Sequence, residues 1–356
     1  MVWERLSYTK WEINNAGKIL ISDKSSDEQK IKAIETLDNW RAVHSYPMHI
    51  FQVRLRKKSQ KMDKNSLTAQ RLKRVPAIIY KLQRVYNGRK PSMKLYQMQD
   101  IGGCRAVLSD VESAKKLYND YYIKGDLKHK LVNKKDYIKE PKSDGYRSLH
   151  LVYEYKSDKR KKEFNGLLTE VQIRSKLQHL WATAIETVDF FTRQAIKSNE
   201  GRPDWTDFFK LVSSAFAKME SCPCVPNTPE DEKELYSQIK KKEKELKVIS
   251  KMSGWTSAMK FFDEKIKTKT KKKVQFFLLE LDILGEKLTI TSYTKEEEQK
   301  AINDYSALEK RHSGRKDYDV VLVGVDTATD LRKAYPNYFV DSGEFLQHLK
   351  KVINKY

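Results

Sequence analysis

Two carboxylates fall where the sequence predicts neighbouring strands of one sheet. Asp100 stands just before the apolar run 101–108, and Glu170 lies inside the run 167–173. Carboxylates from two adjacent strands form a suitable oxygen-ligand pair for Mg²⁺, and Glu170 can also take a proton from a hydroxyl group. The alternative is that both acids form unrelated surface ion pairs, which spacing alone favours.

Three basic residues recur before the first of these acids. Arg71, Lys73 and Lys81 stand at helical intervals in segment 66–84, which we interpret as a helix. Guanidinium groups match the geometry of phosphate and can stack on adenine. These residues therefore suit a phosphorylated nucleotide, and the alternative is an exposed cationic helix face.

A fourth cation, Arg105, follows Asp100 along the predicted strand. Simple alternation places the two side chains on opposite faces of that strand. A bulge or turn at Gly102 and Gly103 would change this relation.

The segment from Pro141 to His150, PKSDGYRSLH, is the third candidate. Its Pro, Ser, Asp and Gly residues favour a turn with Tyr146 at the tip. A tyrosine there can stack on a base while Arg147 and His150 reach polar groups. The alternative is that Tyr146 packs on its own loop.

Composition bounds the class of protein. The chain has 356 residues, enough for two domains, and 39% of them are hydrophobic, so it can bury substantial cores. Its formal net charge of +22 favours polyanionic partners such as nucleotides or RNA. A well-solvated basic surface would have the same composition.

Membrane and secretory features are not expected. We find no apolar run of about 18 residues that would cross a membrane. The N-terminus carries Glu4 and Glu12 and lacks the apolar stretch of a signal peptide. The three cysteines lack a zinc-site spacing, and we interpret them as reduced thiols of a cytoplasmic protein without a special role.

Helical and strand patterns predict an α/β (α+β) fold, with a mixed sheet flanked by helices. Asp27 is the expected cap of the first predicted helix. Helices are expected at 27–42, 47–58, 66–84, 109–122, 175–195 and 204–219, and strands at 101–108, 148–156 and 167–173.

A second domain is expected after a basic linker. A long charged helix opens near Thr228, and the lysine run 265–273 is interpreted as a solvated hinge, with an RNA contact as the alternative. We place the boundary there, giving domains 1–273 and 274–356. The second domain is a small α/β unit with strands at 274–284, 288–292 and 319–325 and helices at 294–310 and 343–354.

Four motifs together resemble the synthetase domain of the RelA/SpoT family, the alarmone synthetases. They fall in the family's order and spacing, and the resemblance covers roughly residues 30–215. The motifs are Arg71-x-Lys73 with Lys81, Asp100-Ile-Gly-Gly-Cys-Arg105, Lys142-Ser-Asp-Gly-Tyr-Arg-Ser-Leu-His150 and Glu170-Val-Gln-Ile-Arg174.

The resemblance implies a pyrophosphokinase that moves the β,γ-pyrophosphate of ATP, with Mg²⁺, onto a hydroxyl group. It implies that Arg71 and Arg105 sandwich adenine, that Lys73 and Lys81 hold phosphates, and that Tyr146 stacks on the acceptor base. Asp100 and Glu170 become the catalytic and metal-binding pair. The acceptor side would comprise Lys142, Tyr146, Arg147, His150, Gln172 and Arg174.

The sequence departs from the family's pattern on the acceptor side. The family's helix resembles H-x-W-A-x-x-E-H, whereas here the acid comes one residue later, at Glu186, and the final histidine is missing. A shift of one residue turns a helical side chain by about 100°. Ala77 also replaces a serine, and no hydrolase domain precedes the synthetase, so alarmone hydrolysis is not expected.

The altered helix resembles the toxic small alarmone synthetases, which implies the 3′-terminal adenosine of tRNA as acceptor and a block of translation. The charge of +22 fits an RNA partner. One rival is a conventional synthetase that makes (p)ppGpp from GDP or GTP. The other is an inactive RNA-binding sensor, against which the retention of Asp100 and Glu170 speaks.

The C-terminal unit contains Tyr335-Pro-Asn-Tyr338, which resembles the Tyr-x-x-Tyr segment of the fused toxin–antitoxin type called CapRel. That resemblance implies that Tyr335 and Tyr338 cover the adenine region near Arg71 and Arg105. It also implies release by a phage protein, typically the major capsid protein, in antiviral defence. The alternative is that both tyrosines pack inside the small domain.

Overall fold

An eight-stranded mixed sheet with helices packed against it forms the centre of the protein, which confirms the predicted α/β class. The computed structural model describes residues 3–85, 92–125, 127–192, 203–246, 248–249, 252, 274–282, 287–313, 315, 318–324 and 343–356. Within these ranges, no helix has the length and apolar character needed to cross a membrane.

The strands are β1 Leu67–Leu72, β2 Gly102–Leu108, β3 Lys130–Asp136, β4 Leu149–Glu154, β5 Leu168–Ser175, β6 Val274–Asp282, β7 Lys287–Thr294 and β8 Tyr318–Gly324. The helices are α1 Lys10–Leu20, α2 Asp27–Val43, α3 Ser45–Met62, α4 Val75–Gln83, α5 Val111–Lys116, α6 Lys176–Thr192, α7 Pro203–Met219, α8 Glu232–Leu246, α9 Glu298–Arg311 and α10 Gly343–Ile353.

The order of strands across the sheet is β3-β4-β5-β2-β1-β8-β6-β7. Strands β2 and β5 run parallel, whereas the other neighbours are antiparallel. The three C-terminal strands join the sheet where Gln70 of β1 pairs with Gly324 of β8. The sheet is therefore continuous from the N-terminal part of the chain to the C-terminal unit.

The predicted helix 66–84 is wrong in its first half, because Leu67–Leu72 forms strand β1. This strand pairs with β2 along its whole length, and these long-range hydrogen bonds override the local pattern. The helix begins only at Val75, where Pro76 lies in the first turn, a position at which the missing N–H of proline is tolerated. Arg71 and Lys73 are thus two residues apart on an extended chain, not on a helix.

Several other boundaries differ from the sequence prediction. Ser26, not Asp27, caps α2, since its side chain accepts a hydrogen bond from the Gln29 amide in a capping box. Helix α1 and strand β3 were not predicted. Strand β3 carries charged residues at the edge of the sheet, and such edges lack the hydrophobic alternation that marks a buried strand.

One face of the first five strands is apolar and buried under helix α3. Phe51 and Leu55 of that helix pack with Ala106, Val171 and Ile173 of the parallel strands. Because side chains alternate along a strand, the residues between these positions point to the opposite face. That opposite face is the polar one.

The C-terminal helix α10 returns to the core of the N-terminal part. Phe345 lies with its ring centroid 6.1 Å from that of Phe209 and 5.8 Å from that of Phe216. It shares a buried cluster with Trp181 and the apolar side of α8. Burial of a large aromatic side chain is worth a few kcal/mol, so α10 contributes to holding α6 and α7 in place.

Candidate functional site

The register of the sheet gathers the sequence-predicted site on one face. Gly103 of β2 lies opposite both Arg71 of β1 and Glu170 of β5, while Arg105 lies opposite Gln172. Within each strand these positions alternate with the buried core residues, so their side chains lie on the face opposite the core. Strands that are distant in sequence therefore present their polar residues to one cleft.

Asp100 is held between two lysines at the entrance to strand β2. Its carboxylate oxygens accept hydrogen bonds from Lys73 Nζ at 3.0 Å and Lys81 Nζ at 2.9 Å. Burial opposes ionisation of this group, but the two ammonium charges outweigh it and lower the pKa of Asp100. Asp100 is accordingly an ionised carboxylate at neutral pH.

The expectation that Asp100 and Arg105 face opposite ways is wrong. Asp100 belongs to a turn before β2, which begins only at Gly102, so strand alternation does not apply to it. Both side chains line the same cleft. A turn does break the strand alternation, but it lies just before Gly102 and Gly103, not at these two glycines.

Glu170 is the second carboxylate, and both of its oxygens are engaged. Oε1 contacts His150 Nδ1 at 2.8 Å, and Oε2 accepts a hydrogen bond from Gln172 Nε2 at 2.7 Å. Burial alone would raise the pKa of Glu170, but the charge and hydrogen bond of His150 lower it to about 2. Glu170 is thus better suited to bind a cation than to accept a proton.

Tyr146 is tied into the same network through its hydroxyl group. Arg174 Nη2 donates to this oxygen at 2.7 Å, and His150 Nε2 lies 2.8 Å from it. The Arg174 guanidinium also lies 5.1 Å from the ring centroid and the Lys142 ammonium 4.9 Å from it. The ring is therefore fixed by cations at the edge of the cleft, which differs from a tyrosine packed only on its own loop.

Lys73, Asp100, Tyr146, Glu170, Gln172 and Arg174 line a cleft of about 260 Å³, whereas Lys81 and His150 contact them without lining it. The wall of the cleft includes residues that the sequence analysis did not predict. They are Asp144 and, on α6, Trp181, Ala182 and Ile185. The residues that line it are Arg71, Lys73, Asp100, Gly103, Cys104, Arg105, Lys142, Asp144, Tyr146, Glu170, Gln172, Arg174, Trp181, Ala182, Ile185 and Glu186.

Helix α6 presents one face to the cleft. Trp181, Ala182, Ile185 and Glu186 recur at the spacing of adjacent helical turns. This helical spacing in the sequence could have predicted that one face of α6 lines the cleft. Glu186 lines the cleft despite its displacement by one residue from the family's pattern, and Ile185 occupies the position where the pattern has its acid.

Arg147 does not line the cleft that the described residues form. It is 4% exposed, and it donates hydrogen bonds to Ser213 Oγ, at 3.1 Å, and to the carbonyl of Pro223. These contacts anchor the 141–150 loop to α7 and to the segment after it. We therefore assign Arg147 a structural position behind the loop, not one in contact with an acceptor.

Gly145 lets this loop approach helix α6. Its φ of +94° is disfavoured for other residues, and a Cβ at this position would lie 2.8 Å from Trp181 Cζ2. The Gly145 carbonyl accepts a hydrogen bond from Ser213 Oγ at 2.6 Å. The loop that carries Tyr146 is thus packed by a glycine against an aromatic ring.

Two further sequence predictions concern other parts of the chain. Tyr335 and Tyr338 lie outside the described residues. Cys104, Cys222 and Cys224 are free thiols, and the described ranges contain no group of three or more metal-ligating side chains.

The carboxylates nevertheless fit Mg²⁺. Asp100 and Glu170 line one cleft, and they are close enough for the charge of Glu170 to raise the pKa of Asp100 against the larger effect of the lysines. Magnesium in nucleotide sites commonly takes only one or two protein carboxylates and completes its shell with phosphates and water. Two hard oxygen donors flanked by lysines match that pattern.

Residues 70–189 match the family model described as "Region found in RelA / SpoT proteins". Two Bacillus subtilis (strain 168) proteins are similar in sequence. GTP pyrophosphokinase YjbM is 32% identical over 123 residues, which are 34% of this chain and 54% of that protein. GTP pyrophosphokinase YwaC is 31% identical over 116 residues, 33% of this chain and 54% of that protein.

The chain thus spans about half the length of these two relatives. The region that matches the family model contains all of the residues that line the cleft. The predicted toxic branch and the CapRel type are not distinguished by these matches.

Two solved structures are similar to part of this chain. The small alarmone synthetase 2 from Bacillus subtilis is 24% identical, with a TM-score of 0.41, over 51% of this chain and 93% of that chain. The small alarmone synthetase 1 from Bacillus subtilis bound to its product pppGpp is 21% identical, with a TM-score of 0.41, over 52% and 93%.

Replacing Gly145 by alanine should disorganise the Tyr146 loop. The added Cβ combines backbone strain of about 1–2 kcal/mol with a contact on Trp181 that requires movement of the ring. Gly166→Ala is a matched control, since Gly166 has a φ of +89° but no atom within 4 Å of the added Cβ. Urea denaturation should show a larger loss for Gly145→Ala, and equal losses would contradict the assigned packing.

The pair of His150 and Glu170 should make stability depend on pH. Burial lowers the pKa of His150, but Tyr146 and Glu170 outweigh it and raise the value from 6.5 to about 9. The stabilisation is therefore fully present below about pH 6.5 and is lost as pH rises through 9. Glu170, with its lowered pKa, loses its contribution only in acid, between about 4.5 and 2.

The measurement is the free energy of unfolding of the wild type and of His150→Gln at pH 6 and pH 9.5. The difference between the two proteins should be clearly larger at pH 6. A difference that is the same at both pH values would mean that His150 is not held protonated by its neighbours.

Proposed function

We propose that this chain is a pyrophosphokinase that transfers the β,γ-pyrophosphate of ATP to a hydroxyl group of a guanine nucleotide or of the 3′ end of tRNA. The hydroxyl oxygen would lose its proton and bond to the β-phosphorus, and the bond from that phosphorus to the α,β-bridging oxygen would break, with AMP as the leaving group. The observation that carries the proposal is the convergence of two ionised carboxylates and several cations on one face of the sheet. Arg71, Lys73, Arg105, Asp100 and Glu170 all line the cleft.

The donor side of the cleft is formed by β1, α4 and β2. Arg71 and Arg105 lie on the same face of neighbouring strands, where their planar guanidinium groups can enclose an adenine ring. Lys73 and Lys81 meet at Asp100, and they would neutralise phosphate charge when ATP enters. Such fixed cations stabilise charge that develops during phosphoryl transfer.

Asp100 and Glu170 would hold Mg²⁺, which would supply Lewis-acid stabilisation of the phosphate charge. The low pKa of Glu170 keeps it ionised for this role. His150 and Gln172 orient its two oxygens. Proton removal from the acceptor is a second possible task of Glu170, and it is the less favourable one for a carboxylate whose pKa is about 2.

The acceptor side faces Tyr146 and helix α6. Tyr146 is fixed by Arg174 and His150, so its ring can serve as a stacking surface for a base. The net charge of +22 supports tRNA, because an RNA acceptor brings many phosphates beyond the reacting nucleotide. We propose its 3′-terminal adenosine as the modified site, which would block translation.

A guanine nucleotide is the second candidate acceptor, and a specific observation favours it. Glu186 lines the cleft, and a carboxylate there can accept hydrogen bonds from the ring N–H and amino groups of guanine. The relatives YjbM and YwaC are both named GTP pyrophosphokinases. The two candidates share the donor chemistry and differ only in the acceptor.

The experiment is label transfer from [γ-³²P]ATP by the full chain with Mg²⁺, offering bulk tRNA, GDP and GTP separately. We expect labelled acceptor from the wild type and a loss of about a hundredfold or more in Glu170→Gln, because that variant loses the cleft charge. Glu163→Gln is the matched control, since Glu163 forms an exposed pair with Lys161, does not line the cleft and should retain transfer.

Label on tRNA would support the RNA-modifying enzyme, and label on GDP or GTP alone would support an alarmone synthetase. Absence of Mg²⁺-dependent transfer to any acceptor, in both the wild type and the more active variant described below, would contradict the enzyme. RNA affinity retained under those conditions would favour an RNA-binding sensor.

We further propose that the C-terminal unit restrains the enzyme and that a phage protein, such as the major capsid protein, relieves the restraint. This part of the proposal rests on the resemblance of the segment Tyr335-Pro-Asn-Tyr338 to the CapRel type. Removal of the whole unit is a poor test, because α10 packs Phe345 into the core beside α7. The full chain is the appropriate protein.

Tyr335→Ala combined with Tyr338→Ala should raise label transfer about tenfold or more. On the proposed restraint, the segment without its two aromatic rings would bind the donor site less tightly, and ATP could enter more often. Tyr356→Ala is the matched control, since Tyr356 is 56% exposed and its hydroxyl contacts Glu232. Neither of these two residues lines the cleft. Unchanged transfer in the double variant, with intact folding by circular dichroism, would contradict restraint by this segment.

A further inference from the structure

A buried arginine links helix α2 to the C-terminal unit and to the donor side of the cleft. Arg41 is 2% exposed. Its Nη1 contacts Asp38 Oδ1 at 3.0 Å and Glu309 Oε2 at 3.1 Å, and its Nε donates to the carbonyl of Lys73 at 3.1 Å. The ring of Tyr305 lies 4.6 Å from its guanidinium carbon.

Glu309 also supplies a cap that helix α4 lacks locally. The residue at the N-cap position, Arg74, makes no side-chain cap. Instead, Glu309 Oε1 accepts a hydrogen bond from the amide of Val75, the first residue of α4, at 3.2 Å. A carboxylate at this end of a helix satisfies a free N–H and interacts favourably with the helix dipole.

The segment held in this way carries both lysines that meet Asp100. Lys73 precedes α4, and Lys81 lies in its last turn. One oxygen of Glu309 therefore holds the start of the helix, while the other holds the arginine that fixes the Lys73 carbonyl. These contacts come from a residue more than 200 positions away in the sequence.

We propose that Glu309 of the C-terminal unit, together with Arg41, is a positioning residue for the phosphate-binding segment from Lys73 to Lys81. The C-terminal unit thus completes the donor site in addition to any restraint it exerts. This inference rests on the proposed function, because it assigns the segment the task of holding ATP phosphates.

Loss of the Glu309 charge should disturb the segment more than loss of a surface charge. Removing one partner of a buried ion pair leaves the other charge less compensated, and Asp38, whose side chain is 24% exposed, would be the carboxylate that stays paired with Arg41. By contrast, Lys176 and Glu344 form an ion pair between α6 and α10 in which the glutamate is 52% exposed. Exposed pairs of that kind contribute little.

The test compares Glu309→Gln with the matched control Glu344→Gln in the full chain, using two measurements. The first is the affinity for ATP with Mg²⁺ by titration calorimetry, which should weaken about tenfold or more in Glu309→Gln, because small displacements of binding groups have large effects. The second is amide hydrogen exchange in residues 73–83, which should become faster. Glu344→Gln should leave both unchanged.

Glu309→Asp guards against a merely unfolded variant. It keeps the negative charge beside Arg41 but shortens the side chain, so its ATP affinity should fall between those of the wild type and Glu309→Gln. Wild-type ATP affinity and unchanged exchange in a folded Glu309→Gln would overturn the inference. Absence of ATP binding in both the wild type and the variant with Tyr335→Ala and Tyr338→Ala would instead contradict the proposed function, and the two failures are therefore distinguishable.

Discussion

The parallel pairing of β2 with β5 is the constraint on which the site depends. Its register sets Gly103 beside Glu170 and Arg105 beside Gln172, so carboxylate and cation reach one face from segments more than 60 residues apart. The same register turns the intervening apolar residues toward α3. A slip of one residue would exchange the two faces and bury the charges, so the hydrophobic core and the polar cleft specify each other.

Charge balance determines which partners the two carboxylates of the cleft have. Each carboxylate is occupied by cationic or amide donors, Asp100 by Lys73 and Lys81, and Glu170 by His150 and Gln172. These contacts keep both acids ionised in a partly buried place, where an isolated charge would be costly. Binding of a phosphate–metal complex would exchange these partners without creating charge in a low-dielectric environment.

The sequence predicted many of the residues that line the cleft and less of their geometry. Local periodicity identified β4, β5 and most helices, because alternation and amphipathic spacing are local signals. It failed at β1, where pairing with β2 overrides a helix-like pattern of basic residues. It also assigned Arg147 to the acceptor, since no local signal reveals that Ser213 and Pro223 bury that side chain from another part of the chain.

The C-terminal unit packs against the N-terminal part of the chain, although the sequence predicts a domain boundary between them. Its strand β8 extends the sheet beside β1, its helix α10 fills the core behind the Tyr146 loop, and Glu309 reaches the start of α4. Strand β1, the Tyr146 loop and α4 each carry a residue that lines the cleft or contacts one that does. The C-terminal unit is therefore packed against the elements that form both sides of the cleft, and its contacts are part of what positions them.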